Sequence, residues 1–330
     1  MDKFIKKTED NLPTLAVVVP CYNEEEVLAE CFMELNSVLE RLITENKIAS
    51  GSYVLFVDDG SKDNTWNLIK RISDDNSNNE RARGLKLSRN CGHQMALLAG
   101  LSYVDTDICI SIDADLQDDI ECIPKMVEKY MQGNDIVYGV RKDRSSDSFF
   151  KKTSANLFYK FMSTMGVEQV SNHADYRLLS KRALVALLEF KERNIYIRGI
   201  IPLIGFRSDT VLYARKKRIA GKSKYPLKKM LSLAINGITS LSVIPLRMIA
   251  VLGFLTCLMV CLFSVYIIFR KISGETVTGW TSLILSNFFL GGVQLLCLGI
   301  IGEYIGKIYI ESKQRPKFII EDWISGKQND

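Results

Sequence analysis

Two carboxylates stand two residues apart in Asp113-Ala114-Asp115, directly after the apolar run Ile108-Cys109-Ile110-Ser111-Ile112. A strand that delivers them at its exit lets both reach one divalent cation. Leu116-Gln117-Asp118-Asp119 follows at once and adds an amide oxygen and further acidity. An all-oxygen set of this kind suits Mg2+ or Mn2+, which keeps part of its shell for water and substrate phosphates. The same residues also suit the acidic first turn of a helix, which the helix dipole favours. The segment alone fits both.

Three other polar clusters could share the work: Tyr22-Asn23-Glu24, Asp58-Asp59-Gly60-Ser61 and Ser88-Arg89-Asn90. Asp58 can accept hydrogen bonds from a base or a ribose, and Asn23 and Glu24 can do the same. Taken singly, each cluster also reads as turn or cap chemistry. The elements that carry them make the difference. Apolar runs predict strands over 15–19, 53–57, 84–88, 108–112 and 135–138. Helical spacing of apolar residues falls between them, over 25–41, 63–72, 94–103 and 123–131, and again over 157–165. Alternation at this spacing predicts a doubly wound α/β domain with a mainly parallel sheet. Ligands of such sheets bind beyond the carboxyl ends of the strands, where all four clusters fall. That shared placement favours a cation and a nucleotide diphosphate over isolated turns.

Composition sets the setting. The chain has 330 residues, 47% of them hydrophobic, and a net charge of +5. Up to about residue 225 it reads as a soluble catalytic domain (1–225). Residues 226–246 have apolar positions at helical spacing beside Lys228 and Lys229, which predicts an amphipathic helix lying on an anionic leaflet. Charges almost vanish over 247–269 and 281–302, each long enough to cross a bilayer. We therefore expect a transmembrane hairpin over 247–306 and a C-terminal tail over 307–330. Lysines and arginines crowd 216–229 and return at Lys307, Lys313, Arg315 and Lys317, which places both ends in the cytoplasm. No signal peptide opens the chain. The expected location is thus the inner (plasma) membrane, multi-pass, with a cytoplasmic catalytic domain. Gly291-Gly292, Gly299 and Gly302 give helix faces suited to close packing, including self-association into a homo-oligomer.

Other chemistries fit poorly. Eight cysteines form no CxxC pair, and His93 and His173 are too few for a histidine-based zinc site. Gly221-Lys222-Ser223 lacks the earlier glycine of a phosphate-binding P-loop, since Lys216 stands there. No dinucleotide signature appears, and nothing calls for a nucleic-acid partner.

The motifs resemble glycosyltransferase family 2, and within it the polyprenyl-phosphate glycosyltransferases, among them bactoprenol glucosyltransferases and dolichol-phosphate mannose synthases. The residues carrying the match are Val19-Pro20-Cys21-Tyr22-Asn23-Glu24, Val57-Asp58-Asp59-Gly60-Ser61, Leu87-Ser88-Arg89-Asn90 and Asp113-Ala114-Asp115-Leu116-Gln117. It continues through Asp175-Tyr176-Arg177-Leu178, Gly221-Lys222-Ser223-Lys224-Tyr225, Gly302-Glu303-Tyr304-Ile305-Gly306 and Arg315-Pro316. The resemblance implies a GT-A-like fold and an inverting transfer of a sugar, from a UDP-sugar as we expect, to polyprenyl (undecaprenyl) phosphate. It implies that Pro20, Tyr22, Glu24 and Asp58 hold the nucleoside, with Asn23, Asp59, Arg89 and Asp113 completing the donor side. Asp113, Asp115 and Gln117 would bind the cation, and Arg141 would clamp the acceptor phosphate. Lys151 and Lys152 stand where related enzymes often carry arginine, and lysine keeps the charge without the bidentate fork. Arg198, with Arg215 or Arg218, would serve phosphates near the membrane. Asp175 would orient a sugar hydroxyl, tune a neighbour, or cap the following helix. His93 replaces a common lysine and receives no catalytic role. A processive polysaccharide synthase would need more spans and a Gln-x-x-Arg-Trp motif, and neither is present. A non-catalytic nucleotide-sugar-binding scaffold would not need the intact acidic set.

Overall fold

The structure, a computed structural model, describes residues 12–75, 81–141, 173–193, 195–214, 242–273 and 279–325. They divide into two units. The first holds the described residues up to 214 together with those from Arg315 onward; the second holds 242–314.

The first unit is a mixed sheet with helices on its faces. Its strands are β1 (Leu15–Cys21), β2 (Tyr53–Asp58), β3 (Ala82–Leu87), β4 (Ile108–Ser111), β5 (Ile136–Arg141), β6 (His173–Ser180), β7 (Ser208–Tyr213) and β8 (Ile320–Ile324). They lie in the order β7-β5-β6-β4-β1-β2-β3-β8. β3, β2, β1 and β4 form the expected parallel block. β1 and β2 are buried along their whole length, as continuous apolar runs in a covered parallel sheet should be.

The flanks correct the reading of a mainly parallel sheet. β6 runs antiparallel between β4 and β5, and β8 runs antiparallel on β3. No strand was expected at β6, where Asp175 and Arg177 break the apolar pattern. In the fold both are buried, while Tyr176 and Leu178 join the core. β5 reaches three residues further than expected, so Arg141 ends the strand. Two antiparallel steps leave β5 parallel to β4, and β7 is parallel to β5. The exits of β1, β2, β3, β4, β5 and β7 therefore share one edge with the start of β6.

Helices α1 (Leu28–Thr44), α2 (Thr65–Asp74), α3 (His93–Ser102) and α4 (Cys122–Met131) cover the parallel block; α5 (Lys181–Leu188) and α6 (Ile197–Leu203) follow β6. α1 buries Leu28, Cys31, Phe32, Leu35, Val38, Leu39 and Leu42, one stripe at helical spacing. Each such side chain contributes about 1.5–3 kcal/mol on leaving water. α3 instead buries six consecutive residues from Ala96 to Leu101. It packs so close that a Cβ on Gly100 would lie 2.5 Å from Val57 Cγ2 and 2.6 Å from Val18 Cγ1.

The second unit contains α7 (Ile244–Ile272, 29 residues) and α8 (Trp280–Ser312, 33 residues). Both expected spans are helical throughout. Among the described residues one stretch, Phe289–Ser312, is long and apolar enough to cross a membrane, and none of it is buried by protein. The shorter apolar stretch Ile244–Thr256 opens α7. At ~1.5 Å per residue either helix exceeds a hydrocarbon core of about 30 Å. Tyr304 Oη donates to the Ser242 carbonyl at 2.7 Å, joining the end of α8 to the residues before α7. The amphipathic helix expected over 226–246 lies outside the described residues up to 241, and 244–246 belong to α7. The expected helix over 157–165 lies outside them too.

Candidate active site

The exits of β1 and β2 are laced together. The Asn23 N–H donates to Ser61 Oγ at 2.9 Å, and Asn23 Oδ1 accepts from the Lys62 N–H at 2.9 Å. The Glu24 N–H donates to Thr65 Oγ1 at 2.9 Å. Asn23 adopts φ 54°, a left-handed conformation that asparagine tolerates better than most residues. Between these turns lies Asp58, with no solvent exposure. Its Oδ1 accepts from the Ser61 N–H at 3.1 Å, while its buried Oδ2 has no hydrogen-bond partner among the described residues. Burial raises the Asp58 pKa, and the Ser61 hydrogen bonds only partly offset it. A buried acceptor without a partner is rare in folded proteins.

Asp59 faces the protein instead. Its two oxygens accept from the Cys91 N–H at 2.6 Å and the Gly92 N–H at 2.9 Å. Gly60, at φ 64°, allows the loop to close, because a Cβ there would lie 2.6 Å from the Arg89 carbonyl carbon. Asp59 and Gly60 thus position Arg89, whose side chain is exposed. Tyr22 is exposed and Pro20 is buried within β1.

At the exit of β4, Asp113 and Asp115 are followed by Leu116 at φ 49°, and the Gln117 N–H donates to Asp115 Oδ1 at 3.3 Å. Asp113 keeps 40% of its side-chain surface accessible, yet its pKa is pushed up to about 6. Desolvation by the surrounding protein is the main cause, and Asp175, Asp118 and Asp115 add to it, against the opposing effect of His93. Carboxylates that repel one another in this way are suited to a divalent cation, which would relieve the repulsion. Among the described residues no group of three or more His, Cys, Asp and Glu side chains is arranged for a metal. A cation at Asp113 and Asp115, with Gln117, would complete its shell with water and diphosphate oxygens, as Mg2+ and Mn2+ commonly do.

His93, dismissed in the sequence, opens α3 and brings Nε2 to 3.5 Å from Asp113 Oδ1 and 3.5 Å from Asp175 Oδ2. Burial opposes its charged form, but Asp175 and Asp113 outweigh that and raise its pKa. Asp175 lies in β6 and is no helix cap; Ser180 Oγ caps α5, accepting from the Ala183 N–H. The Asp175 carboxylate is taken up by Arg177 Nη2 at 2.5 Å, Arg198 Nε at 3.1 Å and Arg198 Nη2 at 2.8 Å. Burial alone would raise its pKa; His93, Arg198 and Arg177 hold it well below the usual carboxylate range. A carboxylate so engaged is a poor proton acceptor. It anchors Arg198 and His93 next to the acidic pair.

Arg141 meets the acidic loop directly. Its Nη2 lies 3.3 Å from Asp118 Oδ1, and its Nε donates to Tyr213 Oη at 3.3 Å. Lys151, Lys152, Arg215 and Arg218 lie outside the described residues. The structure thus gathers Asp58, Asp113, Asp115, Gln117, Asp175, Arg141 and Arg198 on one sheet edge. His93, Arg177, Asp118 and Tyr213 are the members that sequence reasoning missed. Asp118 carried a signal in its place in the acidic run, and Arg177 in its place in the Asp175-Tyr176-Arg177-Leu178 motif.

The site lies at the strand exits of an α/β sheet, where such sheets bind their ligands. Residues 16–187 match the profile of Glycosyl transferase family 2, and the chain belongs to that family. It is a glycosyltransferase. The uncharacterized glycosyltransferase YkoT of Bacillus subtilis is 52% identical over 94% of this chain and 91% of that protein. The bactoprenol glucosyl transferase of Shigella phage SfV is 38% identical over 93% of this chain and 98% of that protein. A prophage bactoprenol glucosyl transferase homolog of Escherichia coli is 37% identical, with the same two coverages.

Proposed function

We propose that this enzyme transfers a sugar, a hexose such as glucose, from a UDP-sugar to polyprenyl phosphate at the cytoplasmic face of the inner membrane. The product would be a lipid-linked monosaccharide for modification of cell-envelope glycans. The observation that carries the reading is the extent of the likeness to bactoprenol glucosyl transferases. It spans 93% of this chain, well beyond the family domain and across the apolar helices.

In this reading Asp58 accepts a hydrogen bond from the nucleoside, with Pro20, Tyr22, Asn23 and Glu24 around it. Asp113, Asp115 and Gln117 hold a divalent cation. A cation bound there would offset charge on the departing diphosphate. The acceptor needs no protein base, because a phosphate monoester with a second pKa of ~6 is largely dianionic at neutral pH. Its oxygen forms a bond to the anomeric carbon as the carbon–oxygen bond to the diphosphate breaks. The electron pair leaves with the nucleoside diphosphate, and the anomeric configuration inverts. What the protein supplies is alignment: Arg141 and Arg198 hold the incoming phosphate, with Lys151, Lys152, Arg215 and Arg218 as further cations. Asp175 orients Arg198 and takes no proton.

The segment 247–306 forms the bilayer hairpin in this reading, with 226–246 at the leaflet surface. The isoprenoid stays in the bilayer, since each buried CH2 contributes about 0.8 kcal/mol, so only its phosphate comes to the site. Membranes containing the enzyme, given labelled UDP-glucose and undecaprenyl phosphate, should yield a labelled lipid. A chelator and Asp115→Ala should each lower its rate at least ~100-fold. Undiminished product under both would remove the cation from the mechanism.

A further inference from the structure

Arg141, Asp118 and Tyr213 form a closed hydrogen-bonded triangle. The Tyr213 hydroxyl donates to Asp118 Oδ1 at 2.5 Å. The Arg141 guanidinium reaches the same Oδ1 through Nη2 and the Tyr213 oxygen through Nε, each at 3.3 Å. Asp118 is buried, with 2% exposure. Arg141 and Tyr213 are the last residues of β5 and β7 and face each other in the parallel register. Asp118 follows Gln117 directly in the loop that begins with Asp113.

That loop is braced a second time. Tyr176 Oη donates to the Asp119 carbonyl at 3.1 Å. The Tyr176 and Tyr213 rings pack edge to face, with centroids 5.6 Å apart. Two phenols, from the strands on either side of β5, thus grip consecutive residues of the acidic loop. One of them also holds the arginine.

We infer that Asp118 and Tyr213 are positioning residues that fix the Arg141 guanidinium to the loop bearing Asp113, Asp115 and Gln117, keeping the acceptor phosphate in register with the donor diphosphate. The inference rests on the proposed function, in which Arg141 receives the acceptor phosphate. A free arginine side chain at a strand end samples many rotamers. A guanidinium tied to a buried carboxylate and a phenol does not, and its remaining N–H donors keep one direction. An uncompensated carboxylate would repel a phosphate; here Asp118 is hydrogen-bonded on the same oxygen by the phenol and the guanidinium.

The test is steady-state kinetics of the full-length enzyme with the two substrates varied separately, alongside thermal unfolding. Tyr213→Phe removes only the hydroxyl. It should raise KM for undecaprenyl phosphate about five- to tenfold while KM for the nucleotide sugar stays within about twofold. Arg141→Ala should raise the same acceptor KM, and Tyr213→Phe should add less than about twofold on top of it. Asp118→Asn, measured likewise, gives a second route should Tyr213→Phe fold poorly, and should shift the same constant. If Arg141→Ala weakens the acceptor but Tyr213→Phe and Asp118→Asn change only the melting temperature, the triangle is structural and the inference fails while the role of Arg141 stands. An increase confined to the donor KM also overturns it. If Arg141→Ala leaves acceptor kinetics unchanged, the role of Arg141 falls and the inference with it.

Discussion

Asp113 keeps a proton until about pH 6 because protein withholds water from it and Asp175, Asp118 and Asp115 oppose its charge. A cation can bind only as that proton leaves, so affinity should fall on the acid side of pH 6 by roughly tenfold per unit. His93, whose pKa Asp175 and Asp113 raise against the effect of burial, puts positive charge beside the pair. Mn2+ titrations between pH 5 and 8 test this, and pH-independent binding would contradict it. Asp175 has the opposite sign. Its pKa is held below the ordinary value of 3.8, so it stabilises the fold above that pH, and the stabilisation is lost as pH falls through the lowered value. Asp175→Asn leaves Arg177 buried beside Arg198 without the counter-charge and should cost about 3–5 kcal/mol in thermal or denaturant unfolding. A loss under ~1 kcal/mol would contradict the pairing. The site was partly legible at this scale. Asp58, Asp113 and Asp115 stand in short motifs at strand exits, where spacing reveals them. His93 with Asp175, and Asp118 with Tyr213, meet across long stretches of chain, and no local pattern announces such pairs.

At the scale of elements, periodicity revealed the strands and helices of the parallel block, because their apolar residues obey the rules of burial. It failed at β6 and β8. In β6 a buried Asp175–Arg177 pair interrupts the apolar pattern. β8, Ile320-Glu321-Asp322-Trp323-Ile324, is short and charged, and the partner that makes it a strand is β3, more than 200 residues earlier. There Lys70–Asp322 and Lys86–Glu321 pair at the surface, where ion pairs contribute little, while Trp323 packs its ring against Tyr103 at 5.2 Å. The close seating of α3 yields a sharper test. Gly100→Ala drives a methyl group against Val18 and Val57, both β-branched and fixed in central strands. It should destabilise by about 1–3 kcal/mol in thermal unfolding. A neutral change would show that α3 sits further from the sheet.

For the whole molecule, the chain leaves the catalytic unit, forms two long apolar helices and returns to place β8 on the sheet edge. The apolar helices were legible from composition alone, since no other segment of the chain is so nearly free of charge. The return was not, because β8 has meaning only beside β3. In the proposed function this plan serves an enzyme whose donor is soluble and whose acceptor stays in the bilayer. The most direct measurement is the mass of the lipid product, together with the nucleoside diphosphate released, when the purified enzyme meets undecaprenyl phosphate and a panel of UDP- and GDP-sugars. One donor, a UDP-hexose, should give a lipid phosphate carrying a single sugar, with one nucleoside diphosphate released per lipid modified. A growing glycan, or nucleoside diphosphate released with no sugar on the lipid, would contradict transfer to polyprenyl phosphate.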